Sequence, residues 1–410
     1  VSEAPGEVAF VVQRYGTDVT GGSESLARAV AERLAGEHRI TVFTSCARDY
    51  VTWRNELPAG RERLNGVEVR RFPAARERDL AAFNAFAEPL YRLEPAAEGA
   101  AASGAPRGRT RADEHEFLRL QGPELPGLVE ALRAERERFA AVVFFTYLYY
   151  PTYWGLKAVP ERAALVPTTH DEPPLRFSIY REVFAAPRAL GFLTPAEEAL
   201  VRRRFEVGSR PTVLAGTGVD VPEAPDAAGF RARHGLERPY AIYAGRIDAG
   251  KGCGEMLAHH ARYQRARPGA LELVLVGRLA MSEPLPPGVR YLGFLSEPDK
   301  AAALAGARAV VCPSPYESLS IVLLEGLALG APALVNARSE VLLDHALRSG
   351  AALFYQDEDE YVEAMDLLAR DDSLHRALAA SGRRYVDAGY RWEVVLDRWR
   401  ALVRAAAAER

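Results

Sequence analysis

A continuous apolar run, a glycine-bearing loop and a helical period follow one another twice over in this 410-residue chain, and no other feature restricts its fold as strongly. The first run, residues 8–12, has no alternation of polar residues, which suits a parallel strand buried on both faces. A polar loop and Gly21-Gly22 lead into Leu26, Ala27, Val30, Ala31 and Leu34, which recur at the spacing of one helix face. Gly36 ends that pattern, and residues 40–43 form the next apolar run. Strand, helix and strand at this spacing make a βαβ unit, whose crossover requires a parallel sheet covered by helices. A helix is expected around 125–138, with strands at 141–145, 164–167 and 191–194. Residues 95–113, dominated by Ala, Gly, Pro and Arg, have no periodicity and are expected to form a mobile excursion.

The same grammar restarts in the second half. Strands are expected at 240–243, 271–276, 309–312 and 333–335, with a helix over 320–329. The first three end in Ala244-Gly245-Arg246, Gly277-Arg278 and Pro313-Ser314. The expected fold class is therefore α/β, with two Rossmann-like, doubly wound domains facing across a cleft. Ligands in such sheets bind beyond the carboxyl ends of the strands, where the motifs below all fall.

Totals narrow the function. Hydrophobic residues make up 48% and charged residues 26%, which suits a globular protein and excludes a disordered one. A net charge of −3 gives no global attraction to nucleic acid, so no nucleic-acid partner is expected. Three cysteines, Cys46, Cys253 and Cys312, lie far apart, which excludes a disulfide scaffold or a cysteine-based zinc site and suits a reducing compartment. The opening residues lack a basic stretch followed by an apolar one, and no run approaches a membrane span, so a cytoplasmic location is expected. Arginines between 61 and 111 give a weak expectation of peripheral contact with an anionic membrane.

Two constellations carry chemistry. In Gly245-Arg246-Ile247-Asp248-Ala249-Gly250-Lys251-Gly252, glycines let backbone amides approach an anion while Arg246 and Lys251 supply positive charge to a diphosphate. The same composition occurs in ordinary strand-to-helix turns, and the register of a Walker loop is absent. In the second, Pro313 to Glu325, Glu317 falls in a turn and Glu325 within the following helix, beside Ile321, Val322, Leu323 and Leu324. A carboxylate in such surroundings needs partners, and sugar and ribose hydroxyls would serve. The amides of Leu319, Ser320 and Ile321 at the helix start would face an anion. A capped amphipathic helix with a glutamate at its edge is the plainer explanation of Glu325 alone. His170, followed by the stiff Pro173-Pro174, sits beyond a strand, where either a structural or a catalytic histidine could stand. Gly21-Gly22 alone is most simply a turn, and the dinucleotide fingerprint is missing after the first strand, which argues against a dehydrogenase.

Taken together, these residues resemble a GT-B-fold glycosyltransferase of family 4, the large retaining group. The Glu-x7-Glu string from Glu317 to Glu325, followed by Gly326-Leu327-Ala328-Leu329-Gly330-Ala331-Pro332, is the most specific match. Gly245-Arg246, Lys251-Gly252, His170-Asp171, Gly21-Gly22 and Thr217-Gly218-Val219-Asp220 agree in order and spacing, and the similarity covers all but about residues 76–122. The resemblance implies an acceptor-binding domain over 1–207, a nucleotide-sugar donor-binding domain over 208–387, and a C-terminal segment, 388–410, crossing back to the first. It implies that Gly245, Arg246 and Lys251 bind the donor diphosphate, that Glu317 with Ser318, Leu319, Ser320 and Ile321 holds the donor sugar, and that Glu325 holds the ribose. His170 would contact the sugar near the reacting carbon, and Gly22 would approach the phosphates or acceptor. After Glu317 the family often has Gly-Phe-Gly, where this chain has Ser318, Leu319 and Ser320, so the donor sugar's seat is expected to differ.

The implied reaction is retaining, metal-independent transfer from a UDP- or GDP-linked sugar to a glycan, lipid-linked or small-molecule acceptor, with no bound cofactor. No Asp-x-Asp cluster adjoins the motifs, and no carboxylate nucleophile is nominated for double displacement. Same-face attack assisted by the leaving phosphate is therefore preferred. A nucleotide-sugar epimerase on the same fold and a non-catalytic sugar-nucleotide binder are the alternatives.

Overall fold

The computed structural model describes residues 6–19, 21–95, 108–282 and 284–407. The chain divides into two compact units, Val1–Ala215 with Leu396–Arg410, and Gly216–Val395.

The first unit is built on eight strands: β1 (Glu7–Val11), β2 (Arg39–Ser45), β3 (Gly60–Leu64), β4 (Val67–Phe72), β5 (Ala141–Phe145), β6 (Ala163–Val166), β7 (Ala189–Phe192) and β8 (Thr212–Leu214). Their order is β3-β4-β2-β1-β5-β6-β7-β8, parallel throughout except for the β3–β4 pair. Val8, Ala9, Phe10 and Val11 are all but fully buried, as a central parallel strand requires. The connection from β1 leads to β2 on one side, whereas β5 flanks it on the other, so the strand order reverses between β1 and β5. That reversal leaves a crevice at the carboxyl ends of the strands.

The second unit contains β9 (Tyr240–Ala244), β10 (Glu272–Val276), β11 (Val289–Tyr291), β12 (Ala309–Cys312), β13 (Ala333–Asn336) and β14 (Ala352–Tyr355). The sheet is wholly parallel, in the order β11-β10-β9-β12-β13-β14, and its switch point lies between β9 and β12. The two charged loops singled out in the sequence follow these two strands.

Three expectations need correction. The division falls after Ala215 and not after 207, because Thr212–Leu214 pairs with β7 and so belongs to the first sheet. The C-terminal segment joins the first unit from Leu396 onward, where Trp399 stacks on Phe145 at 5.7 Å, while residues 388–395 stay with the second. The excursion over 95–113 lies partly outside the described residues, at 96–107, but its end is ordered. Thr110 and Asp113 form a reciprocal capping box for the helix Arg111–Gln121, and buried Arg109 pairs with Glu114 at 2.8 Å. Several of the arginines between 61 and 111 are paired within the unit, Arg70 with Glu135, Arg71 with Glu62 and Arg76 with Glu124. Among the described residues no helix is long and apolar enough to cross a membrane.

Candidate active site

The loop after β9 folds against two neighbours that leave no room for side chains. A Cβ on Gly277, after β10, would lie 2.0 Å from the Gly245 carbonyl oxygen. One on Gly252 would lie 2.4 Å from the Pro313 carbonyl oxygen, beyond β12. Gly252 also has φ +73°, a left-handed conformation that glycine adopts without strain. These contacts seat the loops of β9, β10 and β12 on one another at the switch point.

Asp248 organises the same loop. Its carboxylate accepts from the Lys251 amide at 2.9 Å, capping the short turn Ala249–Lys251, and it pairs with the Arg246 guanidinium. Tyr243 donates its hydroxyl hydrogen to the Arg246 carbonyl at 2.6 Å. Lys251 then reaches across to β12, where Nζ lies 2.7 Å from Oε1 of Glu317. Lys251 and Glu317 are thus paired, and Asp248 ties the Arg246 guanidinium to the Lys251 backbone. Sequence reasoning missed Asp248 and Tyr243, although Asp248 stood inside the motif. The formal charges of Arg246 and Lys251 balance those of Asp248 and Glu317, so an incoming diphosphate must compete with carboxylates for the cations. A cavity of about 750 Å³ adjoins the turn, but Leu257, Ala258, Met281 and Pro286 among its lining make it apolar, unsuited to phosphate.

Beyond Glu317, Ser318 and Leu319 lead to Ser320 and the helix Ile321–Leu329. Ser320 takes φ 67° and ψ 80°, so the left-handed turn at this point is made by a residue with a Cβ. The departure from Gly-Phe-Gly therefore leaves a glycine-type backbone at Ser320, held at a cost of about 1–2 kcal/mol. No side chain caps the helix start, which leaves its first-turn amides to another acceptor. The helix lies close against β12, where a Cβ on Gly326 would sit 2.4 Å from Val310 Cγ2.

Glu325 projects from this helix to a different lysine. Lys300 Nζ lies 3.0 Å from its Oε1, whereas Oε2 is buried without a hydrogen-bond partner among the described residues. Burial raises the carboxyl's pKa, and Lys300 opposes the shift. Lys300 was not foreseen, because it comes from the helix Glu297–Ala305, with no motif around it.

His170 and Gly22 belong to the first unit. Gly22 opens the helix Gly22–Leu34 with nothing within 4 Å of its Cβ position. The crowded glycine is Gly21, whose Cβ would meet Glu24, itself buried and paired with Arg14 at 2.6 Å. His170 lies just past β6, with Nε2 3.4 Å from Oε2 of Glu172. Glu172 in turn accepts from the Tyr147 hydroxyl at 2.7 Å. Tyr147 itself is fully buried against Tyr180, their centroids 4.8 Å apart.

Residues 228–385 match the family described as glycosyl transferases group 1. The chain is 30% identical over 199 residues to the phosphatidyl-myo-inositol mannosyltransferase of Propionibacterium freudenreichii, covering 46% of this chain and 49% of that protein. It is 28% identical over 222 residues to a GDP-mannose-dependent monoacylated alpha-(1-6)-phosphatidylinositol monomannoside mannosyltransferase of Corynebacterium glutamicum, covering 48% and 58%. The chain thus spans about half the length of the curated relatives it matches. Among solved structures, sucrose-phosphate synthase from Thermosynechococcus elongatus superposes with a TM-score of 0.69 at 19% identity, covering 97% of this chain and 98% of that one. Anabaena Alr3699/HepE in complex with UDP-glucose gives 0.68 at 13% identity, with 97% and 98% covered. The structural likenesses give the chain the two-domain fold of these proteins. The match to the glycosyl transferases group 1 family covers most of the second unit.

Proposed function

We propose that the protein transfers a hexosyl group from a UDP- or GDP-linked donor to an acceptor hydroxyl with retention of anomeric configuration, and without a metal ion. The observation that most supports this reading is the Lys251–Glu317 pair, placed at the β9/β12 switch point beside an uncapped helix start. A nucleoside diphosphate can take Lys251 and Arg246 from their carboxylates, freeing Glu317 to accept from sugar hydroxyls. Glu325, with one buried oxygen unpartnered, suits a pair of ribose hydroxyls.

In the proposed reaction the bond from the anomeric carbon to the diphosphate oxygen breaks, and its electron pair leaves with the diphosphate. Arg246, Lys251 and the amides of Ile321 and its neighbours stabilise the growing negative charge, an effect worth about 3 kcal/mol per well-placed donor. The acceptor oxygen attacks the same face, and its proton passes to a phosphate oxygen of the leaving group. His170 contacts the donor sugar near the reacting carbon. The acceptor is a glycan, a lipid-linked sugar or a small alcohol.

A thermal-shift series with UDP-, GDP-, ADP- and TDP-sugars tests the donor assignment, because a ligand that binds only the native state raises its melting temperature. One base should stand out. Proton NMR of the product's anomeric signal then tests retention, and inverted configuration would overturn it.

A further inference from the structure

A second carboxylate, besides Glu172, lies near His170. Glu197, in the first turn of the helix Pro195–Arg204, is fully buried. In a common capping arrangement a glutamate here would turn back to the amide of Thr194, the residue preceding the helix. Glu197 does otherwise. Its Oε2 accepts from the Leu193 amide at 2.6 Å, just past β7, and its Oε1 accepts from the Thr169 amide at 2.5 Å, just past β6. One carboxylate therefore joins the carboxyl ends of two adjacent parallel strands.

The loop it holds is not one the sequence would adopt freely. Thr168 is β-branched yet takes φ 51°, and Thr146, at the end of β5, takes φ 66°. Their hydroxyls meet at 3.1 Å. Such backbone persists only where surrounding contacts over-determine it, at about 1–3 kcal/mol each. The contacts are present: the Tyr147 amide donates to the Pro167 carbonyl at 3.0 Å, the Glu172 amide to the His170 carbonyl at 2.8 Å, and the Thr169 amide to Glu197. Burying a carboxylate on backbone amides costs several kcal/mol of desolvation, and here the anchored amide belongs to the residue immediately before His170. Burial raises the Glu197 carboxyl to a pKa of about 8, against the two amides and the nearby His170.

We propose that Glu197 is a positioning residue for His170: it fixes the Thr169 amide, and with it the backbone from which the imidazole reaches the donor sugar. The proposal rests on the reading of His170 given above. Glu197→Gln keeps the shape but turns an amide N–H₂ toward one of the two backbone N–H groups, so one clamp is lost.

The test is a double-mutant cycle on the full chain, with nucleotide release from GDP-mannose and from UDP-glucose as the assay. Glu197→Gln should lower kcat roughly ten- to a hundredfold, as a misplaced reacting group does, with donor KM changed less than about twofold. In a His170→Ala background the same substitution should cost less than about twofold further. Equal loss in both backgrounds, or unchanged kcat in the parent, would overturn the proposal. Full activity of His170→Ala alone would instead sink the catalytic reading of His170. Glu197 is then judged, as also if neither donor is turned over, on the NMR titration of the His170 ring. That titration should shift in Glu197→Gln, and an unmoved resonance and midpoint would reject the positioning role. Should Glu197→Gln fail to fold, Glu197→Asp, which can reach only one of the two amides, replaces it throughout.

Discussion

Lys300 Nζ lies 3.0 Å from one oxygen of Glu325, while the other oxygen is buried without a hydrogen-bond partner among the described residues. A half-satisfied carboxylate inside an apolar helix face is unfavourable unless a ligand completes it. Glu325→Gln should weaken binding of the free nucleoside diphosphate by roughly tenfold, the scale of one hydrogen bond to a charged group. Calorimetric titration with UDP and GDP reads this directly, and unchanged affinity removes Glu325 from the ribose site.

Ser320 holds a left-handed backbone at the entry to the same helix. Ser320→Gly relieves the Cβ clash but adds freedom to the unfolded chain, leaving a net gain of about 0.5–1 kcal/mol. Thermal melting should show a higher midpoint for this variant than for the parent. A lower midpoint would mean that the serine side chain stabilises the turn by contacts of its own.

Gly277→Ala should do the reverse. The new Cβ would lie 2.0 Å from a backbone oxygen that cannot rotate away, and φ there is +123°. A cost of about 1–3 kcal/mol is expected, as in overpacked sites, together with loss of nucleotide binding. Wild-type stability and affinity in this variant would show that the β9 and β10 loops are not held together as described.

Two buried histidines of the second unit set its acid response. Burial lowers His260 and His345 to a pKa of about 4. Between the ordinary histidine value, near 6.5, and about 4, the unfolded chain binds protons that the folded unit refuses. Stability is therefore lost as pH falls through that window and is constant with respect to these groups above it. Melting midpoints measured from pH 7.5 to 4.5 should fall more steeply for the parent than for a His260→Gln/His345→Gln double variant. Parallel curves would contradict the assignment.

The elements that carry the candidate site were legible because each joins an apolar strand to a loop with unusual composition: β9 to Gly245-Arg246, β12 to Pro313-Ser314, β6 to His170. The edge of the first sheet was harder to see. β3 is Gly-Arg-Glu-Arg-Leu and largely exposed, so it lacks the apolar run that marked the others. Its turn did carry a signal in Asn65-Gly66, whose φ values of 47° and 84° suit a tight hairpin. The helix Leu80–Arg92 also had one, in Phe83, Ala87 and Leu90. What sequence could not supply were partners drawn from distant elements. Lys300 for Glu325 and Glu197 for the Thr169 amide are brought in by packing, and nothing local to them announces the role.

The central claim is that Arg246 and Lys251 stabilise the departing diphosphate, and single-turnover nucleotide release measures it most directly. With GDP-mannose or UDP-glucose, whichever the parent turns over, Arg246→Ala and Lys251→Ala should each slow release about a hundredfold, while melting temperatures stay near that of the parent. Release at the parental rate, or activity and melting temperature falling together, would contradict the account.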